Sequence, residues 1–238
     1  MKKQIFVLAA AAALFTTSSC KKVVGEGQVQ TETRHIADFS GVSASIGGRI
    51  NYKIAPEYKV EITAQPNILD VIETSKINGH LRIKVRNSVR IKENEEITVN
   101  ISAPTADWLH LSGSGDLTVT GHINGANLDM AISGTGNITV PTVTITDKID
   151  AVISGSGNIN VQAGSARNEE LRISGSGKLF LDGVTAQKAR TNISGSGDMQ
   201  VNLSQTLDAT ISGSGSVYYR GHPLISTTIS GSGKVKPL

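Results

Sequence analysis

One tetrapeptide limits what this chain can fold into. Ser-Gly-Ser-Gly, with Thr135 replacing the second serine in one copy, begins at Ser112, Ser133, Ser154, Ser174, Ser194, Ser212 and Ser230, at spacings of 21, 21, 20, 20, 18 and 18 residues. A near-constant period of this length marks a solenoid, in which each coil stacks on the one before it.

The flanks show which kind of solenoid. Each copy is preceded by an aliphatic residue, from Leu111 and Ile132 to Ile211 and Ile229. Two residues after each copy stand Leu117, Ile138, Ile159, Leu179, Met199, Val217 and Val235, and two further on Val119, Val140, Val161, Leu181, Val201, Tyr219 and Pro237. The positions between are mostly polar, and this period of two predicts short strands with one face inward, meeting at a glycine corner once per coil. Coils about 4.8 Å apart stack equivalent side chains into ladders. The residue after each tetrapeptide is then an outward ladder: Asp116, Asn137, Asn158, Lys178, Asp198, Ser216 and Lys234. The reading is an all-β chain whose second half, residues 109–238, is a parallel β-helix of about seven coils. The aromatic content of 4% suits an interior filled by aliphatic ladders.

The amino terminus reads as an export signal over residues 1–19: Lys2 and Lys3, the apolar run Ile5 to Phe15, then small polar residues. That run is too short to span a bilayer. The single cysteine, Cys20, follows Thr17-Ser18-Ser19 directly, as the acylated first residue of a bacterial lipoprotein would, although Thr17 stands where leucine is usual. Residues 20–30 are read as the lipidated cysteine and a tether, of which ten residues reach about 33 Å at most. The net charge of +3 falls to +1 once Lys2 and Lys3 are removed. With no basic stripe interleaved with aromatics, nucleic acid is not expected as a partner.

Residues 31–108 lack the tetrapeptide but keep strand patterning. Pro56-Glu57-Tyr58-Lys59 reads as a turn, Asn78-Gly79 as a hairpin loop, and Asn67 to Ser75 as one or two helical turns. The basic residues from Arg82 to Lys92 read as a solvated strand face. This half is expected to cap the first coil, because an exposed solenoid edge recruits other chains. Lys234, Lys236 and Pro237 guard the far edge.

Several segments together resemble a known family: the signal ending in Cys20, Phe39-Ser40-Gly41-Val42, Gly48-Arg49-Ile50-Asn51, Asn78-Gly79-His80-Leu81-Arg82-Ile83, and the serine-glycine ladder. They resemble the head GIN domain family, described as "putative auto-transporter adhesins" and common in the Bacteroides group. The resemblance covers about Thr31 to Leu238. It implies a right-handed β-helix and an adhesive or cell-envelope role, and it supplies no catalytic residues.

No constellation carries obvious chemistry. No phosphate-binding glycine loop opens a helix, and no nucleophile elbow is present. Seven near-identical serines serve a fold rather than an active site. A calcium ladder would need carboxylates in most coils, yet Asp follows the tetrapeptide only at Asp116 and Asp198. His35, His80, His110, His122 and His222 lack metal-ligand spacing. No catalytic residue, cofactor or metal site is therefore assigned.

The leading reading is a non-enzymatic envelope lipoprotein. It is held in the outer membrane by its lipid, with periplasmic and surface faces both open, and it binds a surface glycan or envelope protein. The possible ligand face is Asn137, Asn158, Asn160, Phe180 and Tyr218. One alternative is a pectinase-like polysaccharide-degrading enzyme using carboxylates among Asp129, Asp147, Asp150, Asp182 and Asp208, of which Asp129 and Asp150 stand one period apart without matching arginines. The other is a purely structural protein that forms a homo-oligomer through its solenoid ends. If Cys20 is acylated, Cys20→Ser abolishes palmitate labelling in cells and moves the chain from the membrane to the soluble fraction. Retained label in that variant would refute the anchor.

Overall fold

Each corner is built from backbone that glycine alone adopts without strain. The computed structural model describes residues 21–238, so the signal segment and Cys20 lie outside the described residues. The first glycine of every tetrapeptide has φ between +117° and +136°. Its carbonyl accepts two N–H groups from the next corner: Ser156 N and Gly157 N both donate to the Gly134 oxygen, at 2.9 and 3.2 Å. The same pair of hydrogen bonds recurs from Thr135 and Gly136 on Gly113 to Ser232 and Gly233 on Gly213. The second glycine is required for a different reason. A Cβ at Gly157 would stand 2.9 Å from Ile132 Cγ2 and overlap the Gly136 carbonyl.

The first part of the chain contains β1 (Lys21–Val24), β2 (Gln30–Thr33), β3 (Gly41–Ser45), β4 (Arg49–Ile54), β5 (Lys59–Ala64), the single-turn helix α1 (Pro66–Leu69), β6 (Ile72–Ile77), β7 (His80–Val85), β8 (Val89–Glu93) and β9 (Thr98–Ala103). β3 and β4 meet at a corner of their own, where Gly48 has φ +117°. β7 and β9 pair parallel with β3 and β4 and add a further layer out of chain order. β6 and β5 then lie antiparallel on β7 and β9 and close that end of the stack, with β2 antiparallel on β5. The residue 56–59 turn therefore closes no hairpin, because β9 lies between β4 and β5. Asn78-Gly79 does close one, with φ of 52° and 82° between β6 and β7. The expected tether is also corrected in part. Lys21 to Val24 form β1, parallel to β8, and Gly25 N donates to the Glu93 carbonyl at 2.7 Å.

The repeats supply β10 (Trp108–Gly113), β11 (Asp116–Thr120), β12 (His122–Gly134), β13 (Asn137–Val140), β14 (Thr142–Gly155), β15 (Asn158–Val161), β16 (Gly164–Gly175), β17 (Lys178–Gly195), β18 (Asp198–Gly213), β19 (Ser216–Gly221), β20 (Leu224–Gly231) and β21 (Lys234–Pro237). β10 pairs with β3 and β11 with β4, so the repeats continue the amino-terminal stack. All later pairs are parallel, and Ser133, Ser154, Ser174, Ser194, Ser212 and Ser230 lie in one row. Seven corners delimit six complete intervals, so the solenoid has about six turns where about seven coils were expected. The shortening from 20 to 18 residues is absorbed away from the serine-glycine corner, by register shifts between Phe180 and Thr185 and between Ala186 and Lys188.

The aliphatic ladders form the core. Ile132, Ile153, Ile173, Ile193 and Ile211 are buried, as are Ile138, Ile159, Leu179, Met199 and Val217. The final coil breaks this pattern: Ile225 and Ile229 are each 42% exposed, with no coil stacked over them among the described residues.

One inward position is acidic. The ladder Leu128, Ile149, Glu169, Ala189, Leu207 places a carboxylate among aliphatic neighbours. Glu169 is 2% exposed, and neither carboxylate oxygen has a hydrogen-bond partner among the described residues. Burial pushes its carboxyl well above the usual range, so the folded state holds it neutral where the unfolded chain is ionised. Below the ordinary carboxylate range both states are protonated and this penalty vanishes. As pH climbs, the unfolded chain ionises first and stability falls, until the folded carboxyl ionises too. Glu169→Leu is expected to stabilise the fold by about 1–3 kcal/mol at neutral pH, with a smaller gain near pH 4. Denaturant melts at both pH values check the size and the sign.

Candidate functional site

Two outward ladders run side by side along the sheet that follows the serine-glycine corner. The first is Asp116, Asn137, Asn158, Lys178, Asp198, Ser216 and Lys234, in the expected register. Much of its hydrogen-bonding capacity is used along the row. Asn137 Nδ2 donates to Asp116 Oδ1 at 2.7 Å, and Asn158 Nδ2 donates to Asn137 Oδ1 at 2.8 Å. Lys178 Nζ stands 3.9 Å from Asp198, and Ser216 N donates to the same carboxylate at 3.1 Å. Stacking alone produces this, because an amide repeated every 4.8 Å or so has its own neighbour within reach.

The second ladder is Thr118, Thr139, Asn160, Phe180, Gln200, Tyr218 and Lys236. Its side chains make no hydrogen bond among the described residues. Lys236 Nζ sits 4.9 Å above the Tyr218 ring, a cation–π contact at the end of the row. Asn160, Phe180 and Tyr218 thus lie on one half-buried stripe with unspent donors, acceptors and ring surface. Asn137 and Asn158 lie on the neighbouring stripe and are engaged in structure.

The carboxylates considered for catalysis occupy another outward face. Asp129, Asp150, Glu170, Arg190 and Asp208 form one row, so the stacking of Asp129 on Asp150 is as expected. The lack of matching arginines is not. Arg172 Nη1 reaches Asp150 Oδ1 at 3.2 Å and also pairs with Glu170, while Lys148 Nζ donates to both acids at 3.1 and 3.4 Å. Arg190 stands 3.8 Å from Asp208, and Arg220 3.1 Å from Asp182. Asp147 lies 3.4 Å from Asn168 Nδ2. Partial burial pulls the Glu170 carboxyl up, but Arg172 and Lys148 outweigh it and hold the group below its ordinary value. The hydrogen bond and charge of Asp150, then those of Glu170, raise Lys148. The row is a charge lattice in which each of these acids already faces a cation or a donor. Arg172 escaped the sequence reading because it stands 22 residues from Asp150. Counting two residues back from Ser174, and four back from Ser154, would have put the pair on adjacent coils.

Two of the histidines are hydrogen-bonded to neighbouring strands, His110 to Asp129 at 2.5 Å and His122 to Thr144 at 2.9 Å, and His80 Nε2 stands 3.4 Å from the Asp107 carboxylate. Among the described residues no three His, Cys, Asp or Glu side chains converge as a metal site, and no helix is long and apolar enough to cross a membrane.

Stacked glycine corners, one closed end and long polar ladders define the class: a capped parallel β-solenoid. The chain belongs to the head GIN domain family, described as "Putative auto-transporter adhesin, head GIN domain", whose model matches residues 38–223. Solved structures share the fold. A "putative adhesin" from Bacteroides fragilis is 23% identical with a TM-score of 0.82, covering 91% of this chain and 100% of that one. A "putative lipid binding protein" from Parabacteroides distasonis is 23% identical with a TM-score of 0.74, covering 92% and 100%. A "putative adhesin" from Parabacteroides merdae is 22% identical with a TM-score of 0.71, covering 92% and 99%. No curated protein matches significantly.

The two ladders differ in what their side chains do, and stability separates them. Asn137→Ala removes a bond on each side and is expected to cost about 1–2 kcal/mol. Thr139→Ala, two residues along on the free ladder, is expected to stay within about 0.5 kcal/mol. Equal costs in urea melts would mean that the first ladder's bonds contribute nothing.

Proposed function

We propose that this chain is a non-enzymatic, adhesin-like protein of the cell envelope, anchored by acylated Cys20, that binds a surface glycan through the outer stripe at Asn160, Phe180 and Tyr218. The observation that carries the reading is the unspent stripe itself. It is a rigid row of hydroxyl, amide and ring groups, repeated at about 4.8 Å, whose side chains make no hydrogen bond among the described residues and whose one internal contact is Lys236 over the Tyr218 ring, beside a row that spends much of its own capacity. Such a row offers several weak hydrogen bonds at regular spacing, and two aromatic rings two coils apart supply stacking surface. The family description is adhesive, which agrees.

The anchor gives the binding stripe a direction. β1 begins at Lys21 and pairs with β8 beside the cap. A lipid on Cys20 therefore holds the closed end nearest the membrane and leaves the open final coil farthest from it.

A second reading, self-association, has its own support in the exposed Ile225 and Ile229 of that coil. One experiment weighs both. A glycan array probed with the chain from Lys21 onward is expected to give selective binding, weakened roughly three- to tenfold by Phe180→Ala or Tyr218→Ala. Absence of binding to every glycan, with a light-scattering mass that climbs with concentration, would replace the first reading with the second.

A further inference from the structure

The junction between cap and repeats carries a feature that the stripe does not explain. β3 lies between β7 and β10, with Val42 and Ala44 inward and fully buried. Its outward residues at this point are Gly41 and Ser43, both small. Register places Gly41 in the column of His80 and Trp108, and Ser43 in that of Arg82 and His110. A Cβ at Gly41 would overlap the Trp108 carbonyl oxygen and stand 2.8 Å from Trp108 Cβ, so only glycine fits there, and the indole lies across its level to reach His80 on β7. The ring stacks on His80 at 4.9 Å and 9°, and on His110 at 3.7 Å and 18°. Asp107 and Asp129 hold the two imidazoles from outside. Both indole faces are therefore occupied, and its edge is left for solvent or a ligand.

That edge borders a hollow of about 390 Å³ lined by Ser43, Ile77, Asn78, His80, Arg82 and Trp108. Ile77 is 43% exposed there, an apolar side chain left uncovered among the described residues. Arg82 is the unbalanced charge. Lys84 and Arg86 share Glu73, and Lys76 donates to the Ala37 carbonyl, but Arg82 has no ion pair or hydrogen bond among the described residues. The hollow thus offers an apolar wall, a rigid aromatic edge, a hydroxyl, an amide on a fixed hairpin tip and one uncommitted guanidinium. A guanidinium forks a carboxylate through two parallel N–H bonds, while the wall suits the carbon-bound face of a pyranose. The volume is at the small end for a ligand site and fits one or two sugar rings. A single cation in a chain near neutrality is a poor counterpart for a polyanion backbone such as a nucleic acid.

We propose that this hollow is a second binding site, for a carboxylate-bearing sugar ring of an acidic glycan, with Arg82 on the carboxylate and Ile77 and Trp108 against the ring. It goes beyond the neutral stripe at Phe180 and Tyr218 and is tested apart from it. Trp108 is the chain's one tryptophan, so its fluorescence reports the site directly. The full chain in detergent is titrated with a short oligogalacturonate, with a neutral galacto-oligosaccharide of equal length, and with inorganic phosphate. The expected result is a saturable fluorescence change with the acidic oligosaccharide, at least roughly tenfold weaker with the neutral one, and weakened roughly tenfold or more by Arg82→Ala but not by Phe180→Ala. Arg82 is exposed, so the variant keeps its fold, which the unliganded emission spectrum checks. Equal response to both oligosaccharides, competition by phosphate at matching concentration, or indifference to Arg82→Ala overturns the proposal. A neutral glycan that binds and is lost only with Phe180→Ala would leave the stripe standing and remove this site alone.

Discussion

The hydrogen bonds between successive serine-glycine corners govern the rest of this molecule. One carbonyl, on a glycine at φ near +130°, accepts two N–H groups from the coil above, and the arrangement repeats six times. A residue with a Cβ would strain the backbone at the first glycine and collide with the neighbouring coil at the second. With the corner fixed, every strand leaving it inherits the same register, and each side-chain ladder follows. Glycine is costly to order, and the expense is offset because each coil buries aliphatic side chains against two others. Insertions and deletions are pushed to the other bends, where the register slips between Phe180 and Thr185.

Stacking in register makes composition act as a line rather than as points. An asparagine repeated on adjacent coils bonds to itself and leaves less for a ligand, as at Asn137 and Asn158. A column that mixes threonine, asparagine, glutamine and rings keeps its groups free. Alternating charges convert what resembles a carboxylate cluster into a lattice, as at Asp150, Glu170, Lys148 and Arg172. The same rule makes the exceptions informative. Glu169 interrupts an aliphatic ladder and costs stability, and Gly41 interrupts an outward column and lets Trp108 reach across it to His80.

The two ends are unlike. Antiparallel β5 and β6 close the amino-terminal end, while the last coil ends with bare apolar positions and an edge guarded by Lys234, Lys236 and Pro237. This polarity is independent of any ligand, and it fixes which end an anchored amino terminus would hold close.

The repeat period, the glycine corners, the inward aliphatic ladders and the outward column from Asp116 to Lys234 were all legible in the sequence, because they depend on contacts between equivalent positions one period apart. The Asn78-Gly79 hairpin was legible too, since two residues suffice to define it. Glu169 was within reach: it stands five residues before Ser174, the place held by Ile149 and Leu207 in their own coils. The order of layers in the cap was not, because β9 enters between β4 and β5 through pairings that no local pattern records. Nor was the hollow beside Trp108, which joins residues near positions 41, 80 and 108 from three separate strands. Sequence alone determined what repeats. Tertiary structure decided what happens where the repetition stops, because there each neighbour is supplied by a distant part of the chain.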